Sequence, residues 1–238
     1  MASTSAPPPP PILNTSLALH RTLADFLTVA IHTILYTREL YPASTFLTAR
    51  AYNFPVHQNR HPAVCAWINS SIASLTPLLA SNSVSRVVIV IYSSSLEVLE
   101  RYLFDISRFP VVDEKEKYTE FEGANRGMSN IVDVEEQLRA TIGKLEHTGR
   151  KLGKLPDNCT YTMAVELRDE ADPPIGHPQP WIPTEPGLQT GDGGGSATIG
   201  KDLGGVKSTP VRLVEAGDFI LETWVEEGIA KYEDSSVS

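Results

Sequence analysis

Apolar residues recur at steps of three and four near the start of the chain: Leu23, Phe26, Leu27, Ala30, Ile31, Ile34 and Leu35. That spacing makes one stripe of an α-helix, with Thr28, His32, Arg38 and Glu39 outside it. Asn14, Thr15 and Ser16 suit its cap, and Pro42 ends it because the ring removes a donor and clashes one turn back. A second helix is expected from Pro62, with Val64, Trp67, Ile68, Ile72, Leu75, Leu78 and Leu79 on its buried side and Pro77 kinking or fraying its end. A third, from about Ser129 to His147, carries Ile131, Val134, Leu138, Ile142 and Leu145, with Gly149 at its end. Residues 86–92 form a continuous β-branched run, the pattern of a central strand. Val98, Tyr102, Phe104 and Ile106 follow a short turn at 93–95, which predicts a hairpin. Residues 160–168 alternate cleanly, with Tyr161, Met163, Val165 and Leu167 on one side. Strand-like patterning returns at 211–214 and 218–227. Residues 42–61 and 113–128 read as loops. Helices grouped by sequence rather than alternating with strands predict an α+β fold.

One segment breaks the pattern. From Asp169 to Pro210, about 40 residues show no periodicity and hold a Gly-rich run at 191–195. Structureless connections beyond ~12–15 residues are uncommon inside a compact domain and are usually functional or disordered. Trp181 lies within this one, where a plain linker needs no indole. Residues 1–11 contain five consecutive prolines and read as a disordered lead.

Composition narrows the chemistry. The chain has 238 residues, 41% of them hydrophobic, and a net charge of −9 with no dense Lys/Arg run. Direct gripping of nucleic acid is therefore not expected, since it needs clustered positive charge. No membrane span or signal sequence is read. Cys65 and Cys159 are far apart and read as reduced core thiols. His57 and His61 stand four apart, but Pro55 and Pro62 place them in a loop and no third ligand accompanies them, so no metal site is assigned. Gly195, Gly200 and Lys201 match the start of a phosphate-cradling loop. Asp202 stands where that loop needs a hydroxyl, and neither a strand before nor a helix after it is patterned. No catalytic residue and no cofactor is assigned.

The stretches FLTVAIHTILYTRELYP, YNFPV, HPAVCAWI, RVVIVIY, EVLERYLFDIS and EEQLRA, taken in order, resemble the HORMA-domain family. NCTYTMAVELRDEA, QPWI and TWVEE extend the likeness. Within the family it is strongest to accessory subunits of translesion DNA polymerase zeta, the mitotic-arrest-deficient-2B type. The resemblance implies a single HORMA domain: three main helices packed on a mostly antiparallel sheet, with a mobile C-terminal safety belt. By it, residues 1–12 are a lead, 13–168 the core, 169–228 the belt with an insertion at 187–205, and 229–238 a tail. HORMA proteins are not enzymes; the belt closes over an extended partner peptide that adds to the sheet edge. The resemblance further implies that a peptide of the polymerase zeta catalytic subunit is trapped beside Tyr41, Trp67 and Trp181. Trp67 stands where the family usually has tyrosine. It implies that the translesion scaffold polymerase, a deoxycytidyl transferase, docks on Val211, Glu222 and Trp224, where leucine, glutamine and tyrosine are usual. Glu39 and Arg139 match positions used in HORMA homodimers. A HORMA-remodelling AAA+ ATPase is an implied partner and the nucleus the implied location. A spindle-checkpoint or meiotic HORMA adaptor is the alternative reading.

Overall fold

The structure is a computed structural model that describes residues 13, 15–120, 131–169, 171–174, 181–184 and 205–233. The Pro-rich lead, the Gly195–Lys201 motif and residues 187–204 of the insertion lie outside the described residues. Helix α1 (Ser16–Thr37) begins where Thr15 accepts the Ala18 N–H at 3.2 Å. Its stripe Leu23, Phe26, Leu27, Ala30, Ile31, Ile34 and Leu35 is completely buried. Burial continues around the helix to His20, His32, Thr33 and Thr37, so α1 is the axis of the molecule rather than a surface helix. Helix α2 (Pro62–Ala80) and helix α3 (Ile131–Lys151) both pack against it.

Two expectations change here. Residues 42–61, read as loop, hold a hairpin of β1 (Phe46–Ala51) and β2 (Phe54–Asn59) lying over α1. Tyr52 and Asn53 both take positive φ at its turn, as a two-residue hairpin connection requires. Pro55 is tolerated because, among the described residues, this sheet has two strands, each with a free edge. The hairpin also explains His32, which stood outside the apolar stripe. His32 is buried, and its Nδ1 accepts the Asn59 N–H at 3.3 Å, pinning β2 to α1. Gly149 is the second change: α3 runs through it to Lys151, whereas Pro77 sits inside α2 three residues before its end at Ala80. With no charged residue in its 19, α2 is long and apolar enough by composition to cross a membrane. Here Val64, Ile68, Leu75, Leu78 and Leu79 lie on the core instead.

The main sheet is antiparallel throughout, in the order β5-β3-β4-β7-β6. Its strands are β3 (Val84–Tyr92), β4 (Val98–Asp105), β5 (Thr160–Leu167), β6 (Gly205–Ala216) and β7 (Phe219–Gly228). One face, with Val87, Ile89, Tyr102, Phe104, Met163 and Leu221, meets the helices. The other carries Val88, Val90 and Leu103, which are buried without a second layer among the described residues. Ion pairs shield them instead: Asp105–Arg86 at 2.7 Å, Arg86–Glu166 at 2.8 Å, Arg101–Glu166 and Arg101–Glu226 at 2.9 Å. The long side chains cover the apolar strip with their stems.

A buried charge cluster ties the layers together. Glu100 of β4, 0% exposed, receives Arg38 in a two-pronged pair at 2.8 and 2.9 Å. The same guanidinium donates to the carbonyls of Gly149 and Gly153, so it also caps α3. Lys231, in the short helix α4 (Ala230–Glu233) after β7, reaches Glu100 and Glu227, each at 2.5 Å. Burial works against the Arg38 charge, but Glu100 outweighs it and keeps the guanidinium ionised. Burial likewise opposes the Glu227 carboxylate, and Lys231 holds its pKa below the usual range.

Removing one member of such a cluster leaves a buried charge unpaired. Arg38→Met is therefore expected to cost about 3–5 kcal/mol, read as a lower urea midpoint at unchanged slope. Arg139→Met, whose pair with Glu136 is exposed, should cost under about 1 kcal/mol.

A pH dependence follows from His20. It is buried against Phe109, with ring centroids 6.4 Å apart. Burial, then the Arg168 charge, lower its pKa from 6.5 to about 4. The unfolded chain thus takes up a proton that the folded chain refuses. Stability is full above pH 6.5 and is lost as pH falls towards 4. Thermal melts of His20→Gln should show a shallower decline across that window.

Candidate functional site

Strand β5 is an edge of the sheet. It pairs with β3 on one side, and no strand among the described residues pairs with its outer side. Backbone groups of alternate residues therefore face outward, a template for another strand. Tyr161, Met163 and Val165 point to the helix layer from this strand. At its beginning three aromatic side chains meet. The Tyr161 ring stands edge-on to Trp67, with centroids 4.9 Å apart at 86°, and to Tyr41, at 6.2 Å and 82°. The Tyr41 and Tyr161 hydroxyls are 3.1 Å apart.

Each member is placed by local structure. Tyr41 follows the end of α1, where Leu40 N–H bonds to the Leu35 carbonyl and Glu39 N–H to that of Tyr36. This is the paired closure that usually takes glycine at the turn residue. Glu39 fills that place, with φ at 55°. Trp67 comes from the half-buried flank of α2. Trp181 reaches the same helix: its indole N–H donates to the Ser74 carbonyl at 3.2 Å and its ring packs on the core. Ser74 is seven residues beyond Trp67, about 10 Å along the axis. Ile182, beside it, is 82% exposed. After leaving β5 the chain thus passes the flank of α2 before it reaches β6 at the opposite edge.

The structure brings Tyr41 and Trp67 together through Tyr161, which the sequence marked as an inward strand residue and not as a site residue. Its place in the alternating run was the available signal. Trp181 packs against the same helix at Ser74, about two turns beyond Trp67, and is not one of the rings stacked edge-on there.

The second candidate set is divided. Glu222 is exposed, 3.9 Å from Arg108. Trp224 is half-buried, donates to Glu226 at 2.9 Å and lies under the Arg86 guanidinium. Both are on the ion-paired face. Val211 is 6% exposed and belongs to the helix-side core. A bulge between Pro210 and Arg212 shifts the side-chain alternation there. The β6 residues opposite Trp224 and Glu222 are Pro210 and Leu213, and Leu213 is 41% exposed. Glu39 is exposed on its turn, whereas Arg139 pairs with Glu136 on α3; the structure does not bring these two into contact.

No group of three potential metal ligands occurs among the described residues. His57 stacks on Tyr36 at 3.6 Å, and His61 Nδ1 caps α2 by accepting the Ala63 N–H. Both thiols are free and donate to carbonyls, Cys65 to Asn59 and Cys159 to Pro156. Burial, then Glu100, push the Cys159 thiol up, away from thiolate chemistry.

A model of the HORMA domain matches residues 20–185. The DNA polymerase zeta processivity subunit of Schizosaccharomyces pombe is 32% identical over 85% of this chain and 90% of its own. The human mitotic spindle assembly checkpoint protein MAD2B is 33% identical over 67% and 70%. Among solved structures, a chain of the mitotic checkpoint complex superposes with a TM-score of 0.66 at 17% identity, covering 90% of this chain and 97% of that one. Caenorhabditis elegans HTP-2 bound to a HIM-3 closure motif gives 0.59 at 11%, over 91% and 92%. The chain belongs to the HORMA-domain family, and its fold is the α+β HORMA fold.

Burial, then the Tyr41 hydroxyl, push the Tyr161 pKa far above the usual 10. The fold thus favours the neutral phenol. Its contribution is complete below about pH 10 and is lost as pH rises beyond it. Tyr161→Phe should lessen the loss of stability in alkaline melts.

Proposed function

We propose that this protein is a non-catalytic accessory subunit of DNA polymerase zeta. It holds an extended, Pro-containing peptide of the catalytic chain along β5, beneath a belt formed by residues 169–228. The observation that carries the reading is the open β5 edge flanked by Tyr41, Tyr161 and Trp67. Main-chain hydrogen bonds would supply affinity, and edge-on aromatic rings offer slots for proline. Trp181 anchors the crossing segment to α2, where a belt would close. The processivity-subunit name of the fission yeast relative supports the choice of polymerase.

The β7 positions Glu222, exposed, and Trp224, half-buried, face the translesion scaffold deoxycytidyl transferase, bridging two polymerases in the nucleus. Leu213, not Val211, supplies the β6 contact on that face. Glu39 and Arg139 serve a HORMA homodimer, and an AAA+ ATPase reopens the belt. The acidic charge of −9 agrees with contact to DNA through partners.

A second reading keeps the edge and changes the peptide: a spindle-checkpoint or meiotic adaptor. The checkpoint names of several relatives favour it. Loss of a polymerase zeta subunit should lower damage-induced mutagenesis, whereas loss of a checkpoint adaptor should abolish metaphase arrest.

Calorimetry with a Pro-containing peptide of the polymerase zeta catalytic chain tests the first reading. Trp67→Ala and Trp181→Ala should each weaken binding roughly thirtyfold or more, the size of an aromatic anchor of about 2 kcal/mol. Absence of binding by the unaltered protein, or binding by both variants as tight as its own, would refute it.

A further inference from the structure

The main sheet has two edges, and the chain treats them differently. On the β6 side, the Gln137 side chain from α3 donates through Nε2 to the Glu215 carbonyl at 3.0 Å. Its Oε1 accepts the Glu215 N–H at 3.3 Å. One amide thus satisfies both backbone groups that Glu215 turns away from β7. A neighbouring strand would make the same two bonds.

The rest of β6 is blunted by other means. Antiparallel pairing alternates, so the β6 residues opposite Ile220, Glu222 and Trp224 share an outward-facing class. They are Glu215, Leu213 and Pro210. Pro210 has no N–H to offer. The bulge between Pro210 and Arg212 interrupts the even spacing that a docking strand would have to match. Lys207 adds a charge farther along. Strand β5, reading TYTMAVEL, has no proline and no lysine, and its register with β3 is regular from Thr160 to Glu166.

We infer that Gln137 is a strand mimic which, with Pro210 and the adjacent bulge, closes the β6 edge to strand addition. A partner strand is then admitted at β5. Gln137 is in this sense a specificity-determining residue for an extended peptide: it decides which edge is left to bind. The inference rests on the reading of β5 as an acceptor edge, but its first test does not. The two bonds are local and exposed, and Gln137 lies outside the aromatic cluster, so its loss leaves that cluster intact.

Amide hydrogen exchange followed by NMR on the full chain reads the contact directly. In Gln137→Ala the Glu215 amide should exchange about tenfold faster, with β5 and α1 amides unchanged. Gln137→Glu keeps an acceptor for the N–H but sets a carboxylate against the carbonyl, and should fall between. The double variant Q137A P210T should then associate further than the unaltered protein does at the same concentration in light scattering, or take a second equivalent of the polymerase zeta peptide in calorimetry. Unchanged Glu215 exchange in Gln137→Ala would overturn the inference. So would a double variant that keeps the unaltered protein's oligomeric state and binds one peptide. If the unaltered protein binds no peptide, the β5 reading fails, while the exchange and dimerisation results still decide the role of Gln137.

Discussion

Glu100 holds the molecule together from the inside. A carboxylate with no solvent contact needs cations brought to it, and the two it receives come from different parts of the chain. Arg38 arrives from the end of α1 and carries the carbonyl end of α3 with it. Lys231 arrives from beyond β7 and draws in Glu227. The close pass of α3 over α1 belongs to the same joint: a Cβ at Gly149 would stand 2.5 Å from Thr37 Oγ1. Tyr41 lies three residues after Arg38, so the position of the aromatic cluster is inherited from this joint. The C-terminal hairpin is fastened to β4 by the same carboxylate.

Much of this was legible in the chain. The 3.6-residue stripes found α1, α2 and α3, and alternation or β-branched runs found β3, β4, β5 and the last two strands. What escaped has physical causes. The β1–β2 hairpin has Pro55 and a positive-φ Tyr-Asn turn, features that read as loop until its packing on α1 is seen. Buried His32 was hidden because a second element covers the polar side of α1. Gly149 looked like a helix end but continues α3, and Arg38 binds its carbonyl together with that of Gly153 beyond the helix.

The candidate site was legible in part. Tyr41 and Trp67 meet through Tyr161 at the start of β5 and Trp181 rests on α2, yet Tyr161, which joins the first two, was concealed by its place in an alternating strand. Val211 turned to the core because a bulge inserts one residue, and a period-two reading cannot detect that insertion. The family likeness supplied what spacing does not: the expectation that a sheet edge, rather than a cleft with titrating groups, is the place to look for binding. The two edges then acquire opposite characters from a few residues. Polar and interrupting groups finish one side, and aromatic rings flank the other.

Hydrogen exchange along β5, measured with and without a Pro-containing peptide of the polymerase zeta catalytic chain, tests the central claim most directly. A strand added at that edge should slow exchange at alternate residues between Thr160 and Leu167 and leave β6 as it was. Peptide bound with β5 exchange unchanged, or with new protection on β6, would contradict it.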